Sequence, residues 1–228
     1  MKILRTPFLL FVLPALAVAG APTFFVYERA AILRGEWWRL WTGHWVHFSV
    51  SHAGWNLFAL AVAAALLERL QPGWTLRFVA LAAPAISLGL LALTPTMTTY
   101  GGLSGLAGGV VTLLALAQLD APARYARAWW FGALALIVGK IAWESVAGTP
   151  LFSRLEPGAY RVSVAAHALG FAAALAFFLF ARRRYGRDGG ANTPRPTSQV
   201  CAAASAKSVS GTLTHASGNA PVATAHAL

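Results

Sequence analysis

The sequence predicts an all-α membrane protein, a bundle of six transmembrane helices, and three observations carry that expectation. Hydrophobic residues make up 57% of the 228 and charged residues only 11%, a balance of integral membrane proteins rather than of water-soluble domains. The apolar residues fall into separate runs of about 16 to 20, the length a helix needs to cross the hydrocarbon core, and in lipid only helices satisfy their own backbone over such a run. The basic residues gather at the edges of those runs and in the C-terminal tail, so the net charge of +11 does not form the single basic face a nucleic acid would need. Cys201 is the only cysteine, which excludes an intrachain disulfide and a multi-cysteine metal site.

The first run follows Lys2 and Arg5 and reaches Ala-Val-Ala-Gly-Ala around Gly20, a pattern that taken alone resembles a cleaved signal peptide. Its apolar character continues through Phe24, Phe25 and Val26, so a retained first span is expected, kinked at Pro14. Residues 28–51 then crowd Trp37, Trp38, Trp41 and Trp45 beside Arg34, Arg39, His44 and His47. Indoles among charges belong at headgroup level, and this segment reads as a long loop lying on or dipping into one leaflet. Five further spans are expected over residues 52–67, 76–93, 103–119, 129–146 and 162–181, joined by connectors with turn residues such as Gln71-Pro72-Gly73. The membrane domain is thus expected over residues 1–181. Residues 182–228 start with Arg182, Arg183, Arg184 and Arg187 and turn into Ser, Thr, Ala, Gly, Pro and Asn without apolar periodicity, the composition of a disordered tail.

Arginines after the last span and Lys2 and Arg5 before the first place both ends in the cytoplasm, and an even number of spans agrees. Arg69, Arg77, Arg124 and Arg127 then fall on inner loops, whereas Arg29, Arg34 and Arg39 lie in the long outer loop and count against the rule.

In this topology the second, fourth and sixth helices all begin at the outer face, and each carries polar side chains in its first turns: His52 and Asn56, Ser104, and His167. At about 1.5 Å rise per residue, His167 lies on the order of 9 Å below Arg161, so these groups share one depth. An ionisable side chain inside the membrane is costly and points to function. Ser104 sits in Tyr100-Gly-Gly-Leu-Ser-Gly-Leu-Ala-Gly-Gly109. There Gly102, Gly105 and Gly109, with Gly170 on the sixth helix, are candidates for close helix packing. With Ser104 as nucleophile, His167 as general base, and His52, Asn56 and the Ser104 N–H as oxyanion donors, the set can hydrolyse an acyl bond. His52 and Asn56, four apart, share a helix face. No acidic residue is expected to orient His167, so the reading is a Ser–His pair without a third member. Lys140 and Glu144 on the fifth helix read either as a mutually neutralising pair or as groups that contact substrate or Ser104. No metal is expected: His44 and His47 are three apart with His52 nearby, but no carboxylate or cysteine accompanies them.

His52-Ala-Gly-Trp-Asn56, Gly102-Leu-Ser-Gly105 and Ala166-His-Ala-Leu-Gly170, in that order on the second, fourth and sixth spans, make the chain resemble the rhomboid family of intramembrane serine proteases. Trp38-Arg39-Leu40-Trp41-Thr42 resembles the family's Trp-Arg element in the first loop. The resemblance implies a six-helix rhomboid-like bundle, catalysis by Ser104 and His167 without a cofactor, a transmembrane protein as substrate, and membrane lipid as surroundings. Glu36-Trp-Trp-Arg-Leu-Trp-Thr-Gly-His-Trp-Val-His47 and Lys140-Ile-Ala-Trp-Glu144 most resemble the rhombosortases, bacterial members that process proteins with a Gly-Gly-containing C-terminal sorting helix. That resemblance implies the bacterial inner membrane with the site facing the periplasm. Many rhomboids carry an aromatic residue or histidine four positions after the serine, where this chain has Gly108, so another side chain is expected to pack on His167. The alternative is a non-catalytic rhomboid-like protein that binds and sorts transmembrane segments. A proton-relay transporter using His52, Lys140, Glu144 and His167 fits less well, because the inner halves of these helices offer almost no titratable groups.

Overall fold

The computed structural model describes residues 15, 22–48, 50–121, 126–148 and 163–188. Most of the expected first span, with Pro14, and most of the tail lie outside the described residues. Five long helices follow the order of the later apolar runs: α4 over Val50–Leu70, α5 over Trp74–Leu93, α6 over Ser104–Asp120, α7 over Arg127–Ala147 and α8 over Val164–Asp188. Four of these, α4, α5, α7 and α8, are long and apolar enough to cross a membrane, and α6 is a shorter apolar helix. The helices run one or more residues beyond the apolar runs. At α8 the difference is largest, because Arg182, Arg183 and Arg184 continue the helix to Asp188. Arginine is a good helix former, so a change to polar composition marks the end of the apolar stretch and not the end of the helix.

Helix α6 is the centre. Leu106, Ala107, Val110, Leu113, Leu114, Ala115 and Ala117 are all buried along it, against α4, α5 and α7 and against α8 through its glycines. A Cβ on Gly105 would stand 2.7 Å from the Ala166 carbonyl oxygen, one on Gly109 would stand 2.9 Å from that of Gly170, and one on Gly170 would overlap that of Gly105. These three glycines bring two backbones together, which is how apolar helices associate where lipid is as apolar as leucine. Trp74 and Phe78 of α5 meet Phe177 of α8 edge to face. Helix α7 differs: it packs on α6, and Glu144 is its only buried side chain among the described residues.

The segment expected as a surface loop is folded, and so is the described end of the expected first span, where the short helix α1 (Pro22–Phe25) gives way to β1 (Tyr27–Glu28). The loop itself contains the short helices α2 (Arg29–Leu33) and α3 (Arg39–Thr42) and a 3₁₀ turn over Gly43–Trp45. Strand β1 pairs antiparallel with β2 (Thr99–Tyr100) in the register Tyr27 to Tyr100 and Glu28 to Thr99. Side chains satisfy the carbonyls that such irregular backbone leaves open. Arg39, 6% exposed, donates to Thr23 O at 3.0 Å, Val26 O at 2.7 Å and the Glu36 carboxylate at 2.7 Å. Arg29 donates to Leu91 O at 2.8 Å. Two of the three arginines that count against the expected orientation are therefore structural ties.

Pro84 lies inside α5. Its missing N–H leaves the Ala80 carbonyl without its helix partner, and the Trp41 indole N–H donates there at 3.1 Å. One turn along, His44 Nε2 contacts Ala83 O at 2.9 Å and Ser87 Oγ at 3.1 Å, while the Ser87 hydroxyl donates to Leu40 O at 2.8 Å. The loop is bonded to α5 through these groups.

Candidate active site

Ser104 is the first residue of α6, reached through Gly102 at φ +129°, where a residue with a side chain is strained. A Cβ on Gly102 would also stand 2.9 Å from His52 Cε1. Gly102 was expected among the helix-packing glycines; it precedes the helix, and its role is the turn and the clearance of His52. Two groups hold this turn. Tyr100 OH, from the preceding strand, donates to Gly102 O at 2.8 Å, and the Leu103 N–H donates to His47 Nε2 of the loop at 3.3 Å, a ring fixed in turn by His47 Nδ1 donating to Trp45 O at 2.9 Å. His47 therefore works as neutral imidazole with its proton on Nδ1. Burial and the neighbouring His52 push its pKa down to about 4. Burial likewise pushes His44 down to about 4 and Tyr100 up, so His44 is neutral and Tyr100 protonated at neutral pH. His44 faces Ala83 and Ser87, and among the described residues no three metal-ligating side chains gather.

A cavity of about 190 Å³ is lined by His52 and Asn56 of α4, Ser104 and Gly108 of α6, Lys140 and Glu144 of α7, and His167 of α8, with apolar walls from Val111, Ile137 and Ile141. The structure thus brings together the serine, the α8 histidine, both candidate oxyanion residues and the α7 pair. Asn56 Nδ2 is a buried donor with no hydrogen-bond partner among the described residues, and buried polar groups rarely stay unpaired without a purpose. Ser104 and His167 share the cavity without a hydrogen bond between their side chains; such bonds in empty sites often form only when substrate is bound.

The expectation that no acidic group reaches His167 does not hold. Glu144 Oε2 lies 2.6 Å from His167 Nδ1, with side chains 1% and 6% exposed. Lys140 Nζ donates to both Glu144 oxygens, at 2.7 and 2.8 Å, so the fifth-span residues do form a pair, and one that includes the histidine. The pair also answers for Gly108. A Cβ at Gly108 meets nothing within 4 Å, whereas Lys140 Nζ stands 3.1 and 3.5 Å from the two ring nitrogens of His167. The neighbour that many rhomboids supply from the serine helix comes here from α7.

The Rhomboid domain matches residues 34–184, from the folded loop through all five long helices. The chain belongs to the rhomboid family. Members of this family are intramembrane serine proteases acting on transmembrane substrates, and with its apolar helices this rhomboid is a multi-pass membrane protein. No curated protein matches the sequence closely enough for comparison. Sequence reasoning missed three residues of the site: Glu144 as a partner of His167, and His47 and Tyr100 as supports of the Ser104 turn. The signal for Glu144 was an acid at the depth of the histidine.

Proposed function

We propose that this rhomboid is an active serine endopeptidase that cuts a peptide bond at or near the outer end of a substrate transmembrane helix. Ser104 Oγ attacks the carbonyl carbon as its proton passes to His167 Nε2, and the oxyanion is held by His52, Asn56 Nδ2 and the Ser104 N–H. The C–N bond then breaks as His167 returns that proton to the leaving nitrogen. Water, deprotonated by His167, releases the acyl group and restores the serine. The observation that carries this reading is the shared cavity, in which the buried Asn56 donor has no partner among the described residues.

By resemblance the protein is a rhombosortase of the bacterial inner membrane. Both termini are then cytoplasmic, the cavity faces the periplasm, and the substrate is the Gly-Gly-type C-terminal helix of an exported protein. The test is labelling of the detergent-solubilised protein by a fluorophosphonate, compared with Ser104→Ala and His167→Ala. Labelling of the wild type that vanishes in both variants is expected. The absent Ser104–His167 hydrogen bond favours a second reading, a non-catalytic rhomboid that binds and sorts transmembrane segments. That reading requires an unlabelled, folded wild type beside a labelled active rhomboid.

A further inference from the structure

We infer that Glu144 is a positioning residue for His167: its carboxylate holds the ring with the proton on Nδ1, leaving Nε2 free to accept the Ser104 proton, while Lys140 neutralises the carboxylate. The inference rests on the protease reading and assigns a third member to its machinery.

An ionised carboxylate only accepts, so a 2.6 Å contact between Glu144 Oε2 and His167 Nδ1 requires the ring to donate from Nδ1. Lys140 Nζ, a pure donor, lies farther from the ring, 3.1 Å from Nδ1 and 3.5 Å from Nε2, and its short bonds go to the two Glu144 oxygens at 2.7 and 2.8 Å. Two donors therefore converge on one carboxylate, and the short contacts leave the Nε2 lone pair for Ser104. In the resting state the lysine and glutamate charges cancel. When His167 takes the serine proton, the new imidazolium finds a carboxylate beside it, so the stabilisation arises as the reaction proceeds.

Placement in the fold points the same way. A lysine and glutamate four apart on a helix need no third partner, and a pair with only that purpose could stand on any face of α7. Instead Glu144, 1% exposed, is the one buried side chain of α7 among the described residues, and it is buried against the histidine. A carboxylate taken out of water is costly unless it is paired and hydrogen-bonded, and here lysine and imidazole both donate to it.

Two measurements on the full-length protein in detergent test this. The first is the ¹⁵N NMR spectrum of the histidine rings, with His167 assigned by its loss in His167→Ala. Protonation on Nδ1 is expected in the wild type; protonation on Nε2 would overturn the proposal without any change at Glu144. The second is fluorophosphonate inactivation resolved into kinact and KI. Glu144→Gln leaves an amide that can turn its NH₂ to Nδ1 and force the other tautomer, so kinact is expected to fall about 10²–10⁴-fold with KI unchanged. Glu144→Asp, which keeps the charge, is expected to recover part of that loss. A wild-type rate in Glu144→Gln, or a loss carried by KI alone, sinks the idea. Should Glu144→Gln not fold, the wild-type tautomer and the Glu144→Asp rate decide. A wild type that does not label, like Ser104→Ala, removes the protease reading instead, and the tautomer still reports on the contact by itself.

Discussion

The two flanks of α6 are built differently. On one side α8 meets it through glycine contacts, α5 is joined to α8 by edge-to-face rings, and the folded loop is tied to α5 by buried hydrogen bonds. On the other, α7 has a buried glutamate and otherwise half-exposed or exposed residues, with Trp129, Leu136 and Val146 pointing outward. The long helices of both flanks are apolar enough in sequence to cross a membrane. In a membrane, apolar composition carries a helix into lipid but does not say which face meets protein, because neither contact involves water. What distinguishes the firm flank is small residues and satisfied carbonyls, and what distinguishes the loose one is a polar contact aimed at the site.

Substitutions that exchange the properties of the two flanks test this contrast. The largest effect is expected at the glycine seam. Gly105→Val and Gly170→Val push Ser104 and His167 apart, and fluorophosphonate labelling should fall more than about a hundredfold, since displacements near 1 Å cost that much. Gly132→Val and Gly139→Val on α7, where a Cβ meets nothing within 4 Å, should leave labelling nearly intact. Equal losses on both flanks would remove the contrast.

Next come core truncations followed by thermal unfolding in detergent. Leu106→Ala, at a fully buried site of α6, is expected to cost about 2–5 kcal/mol. Leu136→Ala, 58% exposed on α7, is expected to stay within about 0.5 kcal/mol.

Acid should loosen the firm flank first. His44 is neutral when folded, with its pKa down at about 4, while the unfolded chain binds a proton near pH 6.5. Between those values the unfolded state holds more protons, so this stabilisation is complete above pH 6.5 and is lost as pH falls towards 4. The loss is on the order of 3 kcal/mol for His44 alone, and a titration of melting temperature over that window measures it. A flat profile, or the same slope in His44→Phe, contradicts the assignment. The smallest effect is expected for Gly139→Ala, a gain of at most about 1 kcal/mol from helix propensity.

The sequence disclosed the firm part of the site better than the loose part. Ser104, His167, His52 and Asn56 could be grouped because each is a polar residue near the start of an apolar run, where depth follows from counting. Glu144 could not be assigned to His167 that way: with Lys140 one turn earlier its charge already had a partner, and α7, apolar all round, gave no periodicity to show which way the pair faces. The folded loop was invisible for another reason. Arg39, His47 and Tyr100 act on backbone carbonyls and amides, and these partners have no sequence signature. Helix ends were blurred because arginines leave the bilayer without leaving the helix.

Pro84 makes α5 a ruler. Its ring removes one helical hydrogen bond, and the exposed carbonyl of Ala80 becomes a mark at which Trp41 is registered; His44, three residues on, meets Ala83, three residues on. Loop and helix advance in step. Lengthening the chain ahead of Trp41 leaves both marks aligned, but one residue inserted between Trp41 and His44 puts them out of phase. The error then travels past Tyr100 to Gly102, whose carbonyl Tyr100 holds, two residues before Ser104. In evolutionary terms, insertions are expected to accumulate outside the segment 41–44 and to be purged within it.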